Sequence, residues 1–484
     1  MNKSNIINKS LTYLFFVTNI TLLSNFFLVS DYTFFFQSKT LIYLIVITFM
    51  IPSIQYYFFN KRDLYLPIGE IILIFFLLAY IAIFFYNVDY IQKSYTWMLN
   101  DFSISQKKTF FSLLDKDFLY LKYFYLSCIS FYIGFVLVSK INIINGFFSN
   151  KVEKYYNFSE KDLFFIGSFF LIIKLINFIF PEINNYKFIN NFKSITFLFY
   201  ISCFWTFFLI NKKNYLKKIF IILTFFLCFF VDIIETGSQI GITLMFVLMV
   251  LIYWLIKKKI FFLGIFLIFF SFYFFQDIKI EYRTSLNNIR EDLRKPFFKI
   301  SNYTNNIYRN LELIKKNELK NKNDVSNVRL TISSYGYYKL IDLNKNNQLI
   351  LKNGETYQNL FLFIIPRFLW KNKPVSSYGI EFGLVTQITE KEAPTSINVS
   401  WISEAFWNFG YLFFIPMIIK GIFVGLISIA VNYRNNSIIS IAWLTSAIHL
   451  LIPESNFSLM SISFIYQLIF LIIFLTIYKL IFKK

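Results

Sequence analysis

The stretch GYLFFIPMIIKGIFVGLISIAV, residues Gly410 to Val431, carries a single charged residue, Lys420. A helix needs about 20 apolar residues to cross the hydrocarbon core of a bilayer, so this stretch predicts a transmembrane helix. Comparable runs recur from end to end of the 484-residue chain, in which 57% of the residues are hydrophobic and 67 are Phe. That much apolar surface cannot be hidden in a water-soluble core, and the composition predicts an all-α polytopic membrane protein.

About twelve transmembrane helices are expected from these runs. The predicted spans are residues 11–30, 40–59, 67–86, 120–139, 163–180, 194–210, 219–234, 237–256, 260–276, 410–431, 437–452 and 458–482. The seventh and eighth are close enough to predict a helical hairpin, and the first lacks a small-residue cleavage site, so it is expected to stay as an anchor. The chain therefore divides into a nine-helix block (1–276), one large loop (277–409) and a three-helix block (410–484).

The net charge of +21 is distributed as membrane topology requires. Lys and Arg concentrate in short cytoplasmic loops, and the connections 235–239 and 453–457 contain neither residue. With the N-terminus inside, an even number of spans returns the C-terminus inside and leaves the loop 277–409 outside. In a bacterium this is the periplasmic face of the inner membrane. A lipid bilayer is thus the expected partner of the basic residues, and nucleic acid is not.

The cysteines and the overall layout exclude some classes of site. Cys128, Cys203 and Cys228 all fall within predicted spans and have no metal-ligand spacing, so buried packing is expected, with no metal and no other cofactor. No internal repeat relates the two halves of the chain, and only 14 Gly and 9 Pro occur, which argues against a secondary transporter.

The large loop is predicted to contain short helices near the membrane surface. Residues 305–319 have helical spacing of apolar side chains, and the Lys- and Asn-rich tract 315–327 is interpreted as a solvated connection. Residues 357–368 are apolar but too few to span, which predicts a re-entrant or interfacial helix that ends near Pro366 and presents Arg367. The segment 87–119 is expected to form a second wall of an external site.

An enzyme site outside the membrane has no access to ATP, so its donor should be a substrate already activated in the bilayer, such as a lipid pyrophosphate. A guanidinium group can donate two parallel hydrogen bonds to phosphate oxygens, and it stabilises the charge on a leaving pyrophosphate. The arginines of the loop are Arg283, Arg290, Arg294, Arg309, Arg329 and Arg367. Arg367 is the strongest candidate because of its place after an apolar segment. Anchoring to anionic lipid headgroups is the alternative for all six, and it is favoured for each of them except Arg367.

Aromatic residues of the loop offer faces on which sugar rings can pack. They are Trp370, Tyr378, Trp401, Phe406 and Trp407. An aromatic belt at the membrane interface has the same composition, and this alternative stays open.

Several ionisable residues are candidates for acid–base work. Burial near Trp401 and Trp407 would suit Glu404 to act as a general base, and a structural pairing of Glu404 with Arg367 or Lys373 is the alternative. His449 is interpreted as a packing residue, or else as an acid, base or phosphate ligand beside the loop.

Charged residues inside predicted spans are also functional hypotheses. Lys174 and Lys420 lie within spans, and an ion pair between Asp232 and Lys420 that only ties helices together is the alternative interpretation.

One motif resembles a known family. It reads Pro366-Arg367-x-x-Trp370-x-x-Lys373-Pro374, then Gly379, Gly383 and Thr395-Ser396, then Glu404-Ala405-x-x-Asn408-Phe409-Gly410 entering a helix. It resembles the large-loop signature of bacterial oligosaccharide repeat-unit polymerases, the O-antigen polymerase family. The chain departs from the family pattern at Gly237-Ser238-Gln239, where an Arg often follows the Gly-Ser pair.

The resemblance implies a glycosyltransferase-C-like membrane fold of the polymerase and ligase type, and an inverting, metal-independent glycosyltransferase. Donor and acceptor would be undecaprenyl-pyrophosphate-linked oligosaccharides, and the product an O-antigen of lipopolysaccharide, a capsule or an exopolysaccharide. Arg367 would contact the donor pyrophosphate and Glu404 the acceptor hydroxyl, with Lys373 and Asn408 also binding substrate. A chain-length regulator and a flippase are candidate partners.

Two other functions are weighed against the polymerase. An O-antigen ligase, which transfers the glycan to lipid A core or to protein, is expected to have a histidine in the large loop, and the sole histidine of this chain is His449. A lipid-linked oligosaccharide flippase or other exporter would need a cationic cavity among its spans. Lys174 and Lys420 are the cations expected there.

Overall fold

The computed structural model describes the chain as a set of helices with gaps between them. The described residues are 3–27, 38–59, 66, 68–81, 118–139, 158–180, 200–201, 206, 219, 221–224, 227–228, 231, 234, 240–257, 264–266, 268, 301, 304–305, 324–365, 378–389, 396–432, 438–452 and 454–482. This part of the chain is mostly helical, and it contains no β-strand.

The longer helices run in the order α1 to α13. They are α1 (Lys3–Phe27), α2 (Ser38–Phe59), α3 (Ile68–Ile81), α4 (Phe118–Ser139), α5 (Glu160–Ile179), α6 (Ile240–Lys257), α7 (Asp324–Lys345), α8 (Glu355–Ile364), α9 (Tyr378–Val385), α10 (Trp401–Phe409), α11 (Phe414–Asn432), α12 (Ile438–Ala447) and α13 (Phe457–Phe482). Short 3₁₀ turns follow α10 and α12, at Gly410–Leu412 and Ile448–Leu451.

The predicted spans coincide with helices wherever the structure describes them. Helices α1 to α6 and α11 to α13 match nine of the twelve spans, and the other three spans lie mostly outside the described residues. Among the described helices, three are long and apolar enough to cross a membrane: Leu119–Val138, Phe414–Asn432 and Phe457–Phe482. A helical architecture with helices able to cross a membrane is therefore confirmed, while membrane insertion, the number of spans and their orientation stay predictions.

Helix α7 was not predicted, and it begins inside the tract 315–327 that the sequence suggested was a solvated connection. Residues 324–327 of that tract are helical, and whether the tract is solvated stays a prediction. Side chains of α7 are described from Ser333 onward, and the buried residues there are Ser333, Ser334, Gly336, Tyr337, Tyr338, Leu340 and Ile341. Small and tyrosine side chains therefore make up most of this part of the buried face, in place of the aliphatic stripe that reveals most amphipathic helices. The hydroxyl of Ser334 donates to the carbonyl of Ala79 at 2.5 Å, which fastens α7 to α3.

Helix α8 confirms a short helix in the apolar part of the loop, from Glu355 to Ile364. It ends before Pro366 because proline disfavours the helical conformation of the residue that precedes it. Whether α8 lies at a membrane interface stays a prediction. Residues 366–377, the predicted surface helix beyond residue 305, and most of the segment 87–119 are outside the described residues.

The chain forms two compact units. The first unit comprises residues 1–144, 324–430 and 449–464, and it contains the described parts of the large loop. The second comprises residues 145–323, 431–448 and 465–484, with an apolar core that includes Phe170, Tyr200 and Leu471. Each unit combines segments that are distant in sequence. The three blocks predicted from the sequence (1–276, 277–409 and 410–484) are instead continuous stretches of chain, and they stay a prediction.

Cys128 and Cys228 are fully buried.

Helices α4 and α11 approach each other at glycines. A methyl group at Gly134 would collide with the carbonyl oxygen of Ile418, and one at Gly421 with the carbonyl oxygen of Phe131. Small residues let helix backbones come this close, and within a membrane such packing replaces the hydrophobic effect as a source of helix association. The contact holds α11, and with it Lys420, in a fixed place against α4.

Replacing Gly421 with leucine should destabilise the protein by about 2 kcal/mol or more, because backbone atoms of α4 cannot move aside as a flexible side chain would. The free energy of unfolding of the purified protein in mixed micelles measures the effect. Ile419→Phe is the matched control, since Ile419 lies on the same helix with 58% of its surface exposed. Equal stabilities of the two variants would contradict the close contact.

Candidate functional site

Helix α10 carries most of the described motif, and its start is tightly fixed. Ser400 is its N-cap, and the Ser400 hydroxyl accepts a hydrogen bond from the backbone N–H of Ser403 at 3.3 Å. The phenol of Tyr80 on α3 is hydrogen-bonded to the same hydroxyl. Residues 401–408 of α10 are all buried. A polar side chain in this stretch is therefore surrounded by other residues, and these must supply its hydrogen-bond partners.

Glu404 is fully buried and collects donors from three other segments. Its Oε1 accepts from the hydroxyl of Thr356 on α8 at 3.0 Å and lies 3.3 Å from the hydroxyl of Ser458 on α13. Its Oε2 accepts from the backbone N–H of Phe457 at 2.9 Å, at the positive end of α13. The ammonium of Lys420 on α11 is 3.4 Å from the same oxygen. We call Glu404, Lys420, Thr356, Ser458 and Asn408 the carboxylate cluster.

Lys420 completes the charge balance of the cluster. Its side chain is 1% exposed, and its ammonium donates to the carbonyl of Trp401 at 2.6 Å as well as to Glu404. The rings of Tyr357 and Phe457 lie 5.1 and 5.2 Å from the ammonium. A buried charge is tolerated only when it is paired and hydrogen-bonded, and both ions meet that condition here.

The bonding of Glu404 bears on its chemical role. A general base must have a lone pair free for the proton it abstracts, whereas both oxygens of Glu404 already face donors and the residue is 0% exposed. The arrangement favours the structural interpretation of Glu404, and the partner seen is Lys420. Arg367 and Lys373, the partners expected for Glu404, are outside the described residues, and so is Asp232, the partner expected for Lys420.

Asn408 joins the cluster to the segment before α8. Its amide nitrogen donates to the Thr356 hydroxyl at 2.8 Å and to the carbonyl of Glu404 at 2.7 Å, and its amide oxygen accepts from the N–H of Gly354 at 3.1 Å. The N–H groups of Lys352 and Asn353 donate to the last carbonyls of α10. These bonds satisfy groups that a helix end would otherwise leave bare.

Two glycines of the motif have clear backbone roles. Gly410 ends α10 with φ 53° and ψ −126°, a conformation that a side chain would strongly disfavour. Gly379 on α9 lies against Ser396 and Ile397, where an added methyl group would collide with both. The motif glycines therefore serve close packing of the segments around α10.

A partly exposed ionic group lies beside the carboxylate cluster. The ammonium of Lys352 is 2.5 Å from Glu381 and 3.2 Å from Glu355, and it lies 5.4 Å from the ring of Trp407. Burial lowers the pKa of Lys352, but the hydrogen bonds and charges of Glu381 and Glu355 outweigh it and raise that pKa above its usual value. Lys352 therefore stays charged, and Tyr378 lies next to it.

The hydroxyl of Tyr357 is buried without a hydrogen-bond partner among the described residues. Its ring stacks on Phe409 with centroids 5.9 Å apart. Burial, and then the nearby charge of Glu404, raises the pKa of Tyr357 well above its usual value. The phenol therefore stays protonated beside the carboxylate cluster.

The other residues predicted to bind substrate fall into four groups. Trp401 and Trp407 are 0% and 1% exposed, so their rings pack against protein in this structure, and sugar stacking on them stays a prediction. Tyr378 and His449 are partly exposed, on α9 and in the turn Ile448–Leu451. The backbone of Arg329 lies in α7. Outside the described residues lie Arg283, Arg290, Arg367, Trp370 and Lys373.

Sequence reasoning missed Thr356, Ser458 and Lys352. Two of them are hydroxyl residues in mixed segments, where nothing in the pattern separates a cluster member from an ordinary helix residue. One signal was available: Lys420 is alone in an apolar span and requires a carboxylate partner, and Glu404 precedes the same span.

Comparison of the chain with protein-family models, with curated proteins and with solved structures gave no match. Within the described residues, no group of three or more His, Cys, Asp or Glu side chains is placed to hold a metal ion.

Proposed function

We propose that this chain polymerises undecaprenyl-pyrophosphate-linked oligosaccharide repeat units into a surface polysaccharide. In the proposal it is a twelve-span protein of the bacterial inner membrane, with both termini cytoplasmic and the loop 277–409 periplasmic. The growing chain leaves its lipid pyrophosphate and is joined, with inversion, to the acceptor unit. Arg367 binds the departing pyrophosphate, and no metal takes part.

The observation that supports the proposal most is the assembly of motif residues into one unit. Glu404, Asn408 and Gly410 belong to the last part of the motif. Glu404 and Asn408 bind the start of α8, and Gly410 ends α10. Helix α8 leads in sequence to Arg367, the residue proposed to bind pyrophosphate. A motif that served only to end a helix would not need a buried carboxylate whose two oxygens both accept hydrogen bonds.

The exporter alternative loses part of its support. A cationic cavity for a lipid pyrophosphate would need buried cations with charge to spare, but the charge of Lys420 is matched by Glu404 at 3.4 Å. Lys174, the other cation expected for an exporter, is also fully buried and lies on α5.

The proposal is tested by deleting the gene and comparing surface polysaccharide by gel, with lipid-linked intermediates measured by mass spectrometry. Loss of the long-chain ladder, with single repeat units still joined to their final acceptor, is the expected result. Polymer that accumulates on undecaprenyl pyrophosphate would instead indicate a ligase. An unchanged profile would contradict both enzymes.

A further inference from the structure

Two of the candidate membrane helices begin side by side. They are Leu119–Val138, within α4, and Phe414–Asn432, which is α11. Near these starts, the ring of Tyr123 lies 5.7 Å from the rings of Tyr411 and Phe413. Tyrosine is enriched where membrane helices pass from the hydrocarbon core into the headgroups. If both helices cross a bilayer, one lipid surface therefore lies at the level of Tyr123 and Tyr411.

The turn between α7 and α8, residues 346–351, is held at the same level. The side chain of Leu351 is so close to Gly410 that a methyl group on the glycine would lie 3.4 Å from it. Gly410 begins the 3₁₀ turn that leads into α11. Near the other end of the turn, the N–H of Gln348 donates to the carbonyl of Leu343 on α7 at 2.8 Å. The turn is thus fastened both to α7 and to the segment that enters α11.

Ile350 is the most exposed large apolar side chain in the part of the chain that the structure describes, at 85%. A single exposed apolar residue is ordinary on a protein surface, but the surroundings of this one are not. Its neighbour Leu351 contacts Gly410. The two residues that follow Gly410, Tyr411 and Leu412, are also exposed, and they lead into α11. Ile350 therefore lies close to an exposed apolar surface that continues into a candidate membrane helix.

The composition of the turn also fits a lipid surface. Residues 343–354 contain two lysines and no acidic residue, so they carry no charge that anionic headgroups would repel. The exposed side chains of Asn346, Asn347 and Gln348 can hydrogen-bond with headgroups and water. One apolar side chain among polar and basic neighbours suits a segment that lies in the interface without crossing it.

We infer that the turn 346–351 lies on the lipid surface, with the side chain of Ile350 inserted at the boundary between headgroups and acyl chains. The inference rests on the membrane placement in the proposed function, and it does not require polymerase activity. The turn is followed directly by Lys352 and then by Thr356 of the carboxylate cluster. Lipid contact thus keeps the start of α8 beside the headgroups, where a substrate linked to a lipid phosphate presents its first sugar.

The test measures the depth of the turn in a bilayer. In the full-length chain, Cys128, Cys203 and Cys228 are replaced by alanine, and the cysteine introduced by Gln348→Cys is labelled with bimane. The protein is placed in nanodiscs of phosphatidylethanolamine and phosphatidylglycerol that contain a nitroxide-labelled phosphatidylcholine. The nitroxide lies near the headgroup in one preparation and near the methyl end of the acyl chain in the other, and iodide is the quencher in water. Ile419→Cys, at an exposed position of α11, is the lipid-facing reference.

The label at position 348 should be quenched most by the shallow nitroxide, because an interfacial side chain reaches only about 5–10 Å into the boundary between headgroups and acyl chains. Ile350→Asp should remove about half of this quenching, since a carboxylate is not stable at that depth. Ile350→Leu, the matched control, should keep all of it.

Equal quenching in Ile350→Asp and Ile350→Leu would overturn the inference, because the turn would then lie near lipid without using Ile350. Quenching of the label at position 348 by iodide alone, with the label at position 419 quenched by the nitroxide lipids, would also overturn it. That result would leave the membrane placement, and with it the proposed function, intact. If neither label is quenched by lipid, the membrane placement fails together with the inference.

Discussion

Replacing Lys420 with methionine should destabilise the protein by about 3–5 kcal/mol, because it leaves a buried carboxylate without its counter-ion. Glu404 is 0% exposed, so water cannot take the place of the lost ammonium. The carboxylate would be left with neutral donors such as the hydroxyl of Thr356 and the backbone N–H of Phe457.

The free energy of unfolding in mixed micelles, from titration with a denaturing detergent, measures this effect. Lys339→Met on the partly exposed side of α7 is the control and should change stability little. The double variant Glu404→Gln, Lys420→Met removes both charges and should recover about 1–2 kcal/mol relative to the single change. If the two substitutions were simply additive, the ion pair would contribute nothing specific.

Replacing Arg367 with lysine should lower the polymerisation rate about a hundredfold, the size of effect seen when one charge-stabilising donor is lost from an active site. Lysine keeps the positive charge but cannot offer two parallel N–H groups to a pyrophosphate. The change therefore separates bidentate recognition from simple attraction to anionic lipid.

The rate is measured with the single-repeat lipid extracted from the deletion strain and normalised to the amount of protein in the membrane. Arg434→Lys is the matched control, since Arg434 lies in a predicted cytoplasmic connection far from the loop in sequence. A normal rate in Arg367→Lys would remove this residue from the donor site and would favour a lipid-anchoring role.

The long apolar helices could be predicted because the length and hydropathy of an apolar run are enough to identify them. Helix α8 was also predictable, since its apolar run stops at Pro366. Helix α7 was not, because Ser333, Ser334 and tyrosines form most of the buried face that the structure describes from residue 333 onward, with Leu340 and Ile341 as its aliphatic members there. Serines and tyrosines are also common on exposed helices, so this part of α7 lacks the aliphatic stripe by which a buried helix face is recognised.

Individual residues of the candidate site could be predicted from the sequence, but their assembly into one cluster could not. Glu404 and Asn408 were singled out from the motif, and Lys420 from its depth in a span. Their assembly depends on Thr356 and Ser458, which are 48 and 54 positions from Glu404 along the chain. A single sequence carries no information on such pairings, so the interpretation of Glu404 stayed divided between base and structural partner.

The bond between Glu404 and the first N–H of α13 has a consequence for biosynthesis. Chains emerge N-terminus first, so Glu404 and Lys420 meet as neighbours 16 positions apart long before residues 457–458 are made. An early Glu404–Lys420 contact would reduce the cost of placing a lysine in the bilayer during insertion. When α13 is made, the backbone N–H of Phe457 can bind a carboxylate that is already in place. A chain stopped short of residue 457 would therefore lose this helix and also its hydrogen bonds to Glu404, which was made 53 residues earlier.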